Sequence, residues 1–342
     1  MSSPCFATPL ADLAVIEISG ADAASFLHGQ LTHDIAGLTP GQARLSGYCT
    51  AKGRLLGSMV VWQAPGTETP TLRALIKADI AEAIVKRLSM FVLRAKAKLS
   101  VTQIPVLGVC TDLSTESGQP AASATPANQI NAALAGHVAG LPVAPPAFTV
   151  VQTEAGDWIA APRKQGSSTR WWLAAAGIIQ AGPLSSACAA AWQADDIAAG
   201  LPWVQAATQD VFIPQTLNLD LIDGVSFTKG CYPGQEVVAR SHYRGTVKRR
   251  MACGVVRNAP DTDADALPGT DIFDASRPGN PCGRIVNAAR ADRDATPGTD
   301  AGPVHVLMEV QLADLDTADF RLGDDNGPAI ELRSLPYDIV AA

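Results

Sequence analysis

Two apolar runs, Ala43–Cys49 and Leu55–Trp62, are joined by Thr50-Ala51-Lys52-Gly53-Arg54. Runs this close pair antiparallel, because a parallel crossover needs about a dozen residues or more. Gly53 supplies the bend. The pattern continues on both sides. Leu13–Gly20 reads as a short strand, and Ser19 or Asp22 can cap a helix through Ala23–Leu27. Leu72–Ile76 alternates like a further strand. Ala78–Leu88 repeats apolar residues at i, i+4 and i+8, as an amphipathic helix does, and Lys96–Val101 reads as a strand after it. Strand, helix, strands, helix, strand is an α+β pattern built on an antiparallel sheet.

A chain of 342 residues exceeds one small core, so two or three domains are expected. Residues 115–147 are rich in Ala, Pro, Gly and Ser and read as a weakly structured insert. Phe148–Gln152 and Arg170–Ala174 are expected strands on either side of the loop Pro162–Ser168. A helix through Trp192–Ala199 stops at Gly200, with Pro202 beyond. Trp171, Trp172, Trp192 and Trp203 read as core or rim aromatics rather than a cofactor box. The strand-like runs Val247–Val256, Gly283–Ala288, Val304–Val310 and Ala329–Leu335, separated by Asp- and Pro-rich turns, suggest a small β-barrel or sandwich. His28 and His33 read as exposed histidines near a helix end, without a metal.

Charge and cysteine usage narrow the function classes. The net charge of −7 repels nucleic acid and anionic membranes, so any anion site must be local. The seven cysteines are scattered singly, with no CxxC or His-Cys spacing. That argues against a zinc or cluster-ligand set and leaves metal ligands: none. The N-terminus lacks the basic and apolar regions of a signal peptide, and no apolar run reaches the length of a membrane span. A cytoplasmic chain with reduced thiols is expected.

The stretch richest in chemistry is Lys229-Gly230-Cys231-Tyr232-Pro233-Gly234-Gln235-Glu236. Pro233 suits the first position of a helix, with Gln235 and Glu236 in its first turn. Cys231 would then lie at a helix start, two residues from Lys229. Free N–H groups and a nearby ammonium favour a thiolate, which makes Cys231 a candidate reactive cysteine. Gly230 and Gly234 would let a ligand approach the backbone. Glu236, Arg240 and Arg244 follow at i, i+4 and i+8. Over 229–250 the bases Lys229, Arg240, Arg244, Lys248, Arg249 and Arg250 face one acid, a basic island fit for a carboxylate, a phosphate or RNA.

The octapeptide resembles the K-G-C-[FY]-x-G-Q-E signature of the YgfZ-type folate-binding proteins. These are relatives of the aminomethyltransferase, or T-protein, of glycine cleavage. Asp196–Pro202 and Phe212–Asp220 resemble the family's segments before the signature, and Ala239–Gly245 the one after it. Phe26–Asp34 and Ala51–Leu55 resemble its N-terminal motifs. The likeness covers residues 1–105 and 192–250 well and 106–190 poorly. It implies a three-lobed, aminomethyltransferase-like α+β folate-binding fold with mainly antiparallel sheets and a C-terminal β-barrel. The implied core combines residues 1–105 and 192–245. A second lobe would span 106–191 and the barrel 246–342.

The same resemblance implies tetrahydrofolate, or a folate derivative, as cofactor, and a role in assembling or repairing iron–sulfur clusters that affects tRNA modification indirectly. It points to Cys231 and Lys229 as the chemically active pair. Folate contacts are implied at Gln30, Thr32, Asp34, Asn218, Tyr232, Gln235, Glu236, Arg240 and Arg244. Expected partners are folate and iron–sulfur client or assembly proteins; the chain is expected to be a monomer without membrane or direct RNA contacts. T-proteins carry an acidic pair where this chain has Gly57 and Ser58. Without that carboxylate, aminomethyl transfer is disfavoured. A folate-dependent one-carbon transferase and an RNA-binding module are the alternatives.

Overall fold

A computed structural model of the chain describes residues 6–111, 134, 136–177, 186–243, 247–257, 263–290 and 302–339. Most of the Ala/Pro-rich stretch expected at 115–147, and Arg244, lie outside the described residues. Contacts divide the chain into two compact units. One comprises residues 1–26, 35–44 and 60–189, and the other 27–34, 45–59 and 190–342.

The first unit holds two antiparallel arrangements. In one, β1 (Phe6–Pro9), β7 (Val106–Thr111), β10 (Thr169–Ala175), β9 (Gly156–Ala160) and β8 (Val150–Thr153) follow in the order β1-β7-β10-β9-β8. β10 is paired on both edges, and every one of its residues is buried, including Trp171 and Trp172. Continuous burial removes the apolar/polar alternation expected of a half-exposed strand. In the other, β2 (Leu13–Ser19) pairs with β5 (Thr71–Lys77) and with β6 (Lys98–Val101), and β5 pairs with Val60–Gln63 of β4 (Leu55–Gln63). β6 is the outer strand. Helix α2 (Ala78–Ser89) buries Ile80, Ile84, Val85 and Leu88, the expected apolar stripe. Asp157 is buried and takes hydrogen bonds from Trp62 Nε1 at 2.8 Å and Arg73 Nη1 at 3.0 Å. A short helix, α1 (Ala23–His28), follows β2.

The second unit carries strand β3 (Ala43–Cys49) from residue 45 onward, helix α3 (Ser186–Ala198) from residue 190 onward, and helix α4 (Gln235–Tyr243). Gly200 follows α3 at φ +66°, the left-handed C′ geometry its sequence position implied. The remaining strands are β11 (Arg249–Val256), β12 (Asp271–Asp274), β13 (Gly283–Arg290), β14 (Val304–Gln311), β15 (Phe320–Leu322) and β16 (Ile330–Arg333). They form one sheet of order β15-β12-β13-β14-β11-β16. A bridge from Arg321 to Ala329 brings its two ends together, so the sheet is a nearly closed barrel filled by Val304, Val306, Met308, Ile285 and Phe320. A bulge between Ile285 and Asn287 aims Asn287 at Trp203. Its amide exchanges hydrogen bonds with the Trp203 backbone at 2.9 and 2.8 Å.

Two local expectations are corrected, and four strands besides β9 went unread. The strand expected at Phe148–Gln152 is present as β8, shifted to Val150–Thr153, and β9, which no expectation covered, stands between it and the loop at 162–168. β1, β7, β12 and β15 gave no usable alternation, being short or buried throughout. The helix after the octapeptide begins at Gln235, not at Pro233, because Pro233 and Gly234 form a turn with Gly234 at φ +81°.

Arg250 and Asp220, both almost wholly buried, pair through two hydrogen bonds of 2.6 and 3.1 Å, and Arg250 also donates to the Gln215 carbonyl at 2.8 Å. Removing one partner strands a buried charge. Asp220→Ala should therefore lose about 3–5 kcal/mol in urea unfolding. A loss below about 1 kcal/mol would show that the pair is not buried as described.

Candidate functional site

The octapeptide is held by backbone-directed contacts from two distant parts of the chain. Thr32, fully buried, exchanges hydrogen bonds with Gly47 on β3: its N–H donates to the Gly47 carbonyl at 2.9 Å, and its Oγ1 accepts the Gly47 N–H at 2.8 Å. The same hydroxyl donates to the Gly224 carbonyl at 2.6 Å, and the Thr32 carbonyl accepts from Ser226 N–H at 3.0 Å. Thr32 therefore fixes where the octapeptide loop begins. At its other end, Gly53 in the β3–β4 turn and Gly234 face each other. A Cβ on Gly234 would lie 2.4 Å from the Thr50 carbonyl oxygen and 2.6 Å from Gly53 Cα. The close approach expected of a ligand at Gly234 is made by the hairpin backbone instead.

Between these anchors the loop presents Lys229 and Cys231 in opposite settings. Lys229 is half-buried, and its ammonium donates to the carbonyls of His28 and of Leu31, the latter at 2.7 Å. Its Nζ also sits 5.0 Å from the centre of the Tyr232 ring. Burial pulls the Lys229 pKa from its ordinary 10.5 to about 8, with the neighbouring Asp34 and Cys231 acting in the opposite direction. A neutral amine keeps two N–H bonds, enough for both carbonyls. Tyr232 is buried, which holds its phenol protonated. Cys231 is exposed, whereas Cys49, Cys110, Cys253 and Cys282 are buried. It lies four residues before α4, so the helix-start environment expected from sequence is not where the thiol sits.

The turn gripped by Lys229 contributes three more groups. His28 Nδ1 and Asp34 Oδ1 are 3.0 Å apart. His33 is buried and lies 3.3 Å from Asp223, while its Nδ1 accepts the Asp34 N–H at 2.7 Å. The two histidines expected to be exposed are thus held by carboxylates, His28 by Asp34 at the end of the same turn and His33 by Asp223, which is distant in sequence. Gln30, in the same turn, buries its side-chain carbonyl oxygen with no hydrogen-bond partner among the described residues.

The remaining sequence candidates divide by exposure. Asn218 is fully buried at φ +58°, donates to the Met251 carbonyl at 2.8 Å and accepts the Met251 N–H at 3.3 Å. Thr32 and Asn218 are thus already engaged in holding the fold. Gln235 starts α4 half-buried, and Glu236 and Arg240 are exposed on it. The basic island is largely dismantled. Arg250 is buried against Asp220, Arg249 pairs with Glu309 at 2.6 and 2.8 Å, and Lys229 is spent on carbonyls. Arg240 and Lys248 stay exposed. Phe227, which sequence reasoning passed over, stacks on His242 with ring centres 3.7 Å apart, and Tyr243 meets both rings edge-on. Among the described residues no three His, Cys, Asp or Glu side chains gather to hold a metal ion, and no helix is long and apolar enough to cross a membrane.

No protein-family model matches the chain. It is 32% identical over 257 residues to the tRNA-modifying protein YgfZ of Vibrio vulnificus (strain YJ016), covering 74% of this chain and 72% of that protein. To the tRNA-modifying protein YgfZ of Klebsiella pneumoniae (strain 342) it is 30% identical over 269 residues, covering 75% and 74%. Among solved structures, it superposes on the glycine cleavage system aminomethyltransferase T from Bartonella henselae with a TM-score of 0.60. That match has 17% identity over 98% of this chain and 86% of that one, a likeness of fold.

The Lys229 environment has a signed consequence for pH. Between about 8 and 10.5 the native chain has released the Lys229 proton while the unfolded chain still holds it. Unfolding then takes up a proton, so stability rises with pH through that window. In denaturant unfolding at pH 7.5 and 9.5, the wild type should gain relative to Lys229→Met. Equal pH responses would place the folded lysine near its ordinary value.

Proposed function

The chain belongs to the YgfZ family, and from that premise we propose a tetrahydrofolate-binding accessory protein for the assembly or repair of iron–sulfur clusters. It would act through Cys231 and reach tRNA modification indirectly, through cluster-dependent enzymes. The observation that carries this reading is the division within the octapeptide. Lys229 faces inward onto the 28–31 turn, and Cys231 two residues later faces solvent.

The 28–34 turn suits a reduced pterin. The buried oxygen of Gln30, without a partner among the described residues, can accept from an N–H donor, and a pterin ring is rich in such donors. Asp34, oriented by His28, offers a second acceptor, and exposed Arg240 could meet the glutamate carboxylates. Gln30 and Asp34 would therefore hold the ring, with Lys229 fixing the turn that carries them. Tetrahydrofolate, when bound, supplies a reduced carrier of one-carbon groups or electrons. The chain's own contribution is to bind it and to keep Cys231 accessible. One exposed thiol is suited to transient contact with a partner's cluster or persulfide.

Aminomethyl transfer is not favoured. Gly57 has no side chain to offer, and Ser58 is fully buried, donating to the Pro202 carbonyl at 3.2 Å and accepting from Val204 N–H at 3.0 Å. No carboxylate stands at these two positions to move a proton. A direct RNA-binding role is weakened, because Arg249 and Arg250 are paired with Glu309 and Asp220 and Lys229 is turned onto carbonyls.

Cells carrying Cys231→Ala should show lowered activity of iron–sulfur enzymes at unchanged levels of the protein itself. Full activity in such cells would sink the proposal. In calorimetry, Gln30→Leu should weaken tetrahydrofolate binding by about tenfold, the worth of one hydrogen bond to a buried acceptor. Unchanged affinity would remove Gln30 from the binding site.

A further inference from the structure

The first unit carries a feature that the octapeptide site does not use. Among the described residues, six large hydrophobic side chains are exposed, and three of them crowd into the loop after α2: Met90 at 62%, Phe91 at 46% and Leu93 at 86%. A cluster of this kind marks a contact surface more often than isolated exposed residues do. The loop is also strongly basic. No acid occurs between Glu82 and Asp112, while Lys86, Arg87, Arg94, Lys96 and Lys98 all fall there and all are exposed. In a chain of net charge −7 this run of sequence carries five positive charges and no negative one, with Asp22 the acid bonded to it.

The loop is held in this exposed form. Phe91 and Val92 N–H groups donate to the Leu88 and Ser89 carbonyls at 2.9 and 3.2 Å, continuing the last turn of α2. At its far end the Lys96 N–H donates to the Asp22 carboxylate at 2.7 Å, and the Asp22 N–H returns a bond to the Lys96 carbonyl at 3.2 Å. Gly20, at φ +134°, lets the Lys96 carbonyl come closer than any Cβ would allow. Met90, Phe91 and Leu93 are therefore presented on a braced knob, which lowers the ordering cost of binding. Immediately after it runs β6, the outer strand of its sheet, with Lys98 and Ser100 exposed.

We propose that this knob and the edge of β6 form a docking surface for an acidic polypeptide segment bearing apolar side chains. The five cations select acidic character, and the knob selects apolar side chains. The outer strand decides between polymers: its backbone edge, paired by no other strand among the described residues, can be paired by another polypeptide strand, and neither a bilayer nor RNA supplies that pairing. The surface is independent of the folate and thiol reading, which fails or stands on other residues.

The test is photo-crosslinking in the producing cells, with p-benzoylphenylalanine in place of Phe91 and, as control, in place of Val143. Val143 is also 63% exposed but has no charged neighbours in sequence from Leu141 to Val151. Crosslinked products are identified by peptide mass spectrometry. Position 91 should join one protein at a segment rich in Asp and Glu, and position 143 should not. A synthetic peptide of that segment should bind the purified chain, weaken as salt rises, and lose about tenfold in affinity to Lys96→Glu/Lys98→Glu. Both lysines are exposed, so the double variant should keep the wild-type thermal transition. Crosslinks to lipid or RNA alone, a pattern shared with position 143, or binding indifferent to the charge reversal would each overturn the proposal.

Discussion

The candidate site depends on one side chain bonded to backbone. Lys229 donates to the carbonyls of His28 and Leu31, which precede it by 201 and 198 positions. Those carbonyls belong to the turn that also carries Gln30 and leads to Asp34. Without the amine, two half-buried carbonyls and the loop on the other side would each lose their reference point. The octapeptide is thus less a catalytic motif than a fastening: its lysine closes the loop onto the turn, and its cysteine is left outside.

Further ties restrict the same loop from both ends. Thr32 joins β3 to the loop's first residues through one hydroxyl and one peptide group. Gly53 and Gly234 let the hairpin turn and the start of α4 approach to a distance that side chains would forbid. Behind α4, Gln215 donates to the Val238 carbonyl at 2.6 Å, and Arg250 connects the Gln215 carbonyl to Asp220. A loop fixed at so many points presents Cys231 in a defined position, a property that suits the proposed contact of this thiol with a partner protein.

Much of this was legible in the sequence where local chemistry decides the outcome. The hairpin at Thr50–Arg54, the amphipathic α2 and the stop at Gly200 follow from spacing, stripe and φ. The octapeptide resemblance identified the family. What stayed hidden was long-range. His28 and His33 looked exposed because Asp34 and Asp223 become partners only in the folded chain. The basic island looked available because Asp220 and Glu309, which neutralise Arg250 and Arg249, are remote or on another strand. Gly234 signalled a close approach, but sequence could not say that Gly53 was the group approaching. Buried strands such as β7 carry no alternation to read.

The central claim is that folate binding and thiol presentation are separate duties of one loop, divided between Lys229 and Cys231. Calorimetric titration with tetrahydrofolate of Lys229→Met and Cys231→Ser, side by side with the wild type, tests it most directly. The account expects Lys229→Met to lose about tenfold or more in affinity and Cys231→Ser to bind as the wild type does. Undiminished binding by Lys229→Met, or a comparable loss in Cys231→Ser, would contradict it.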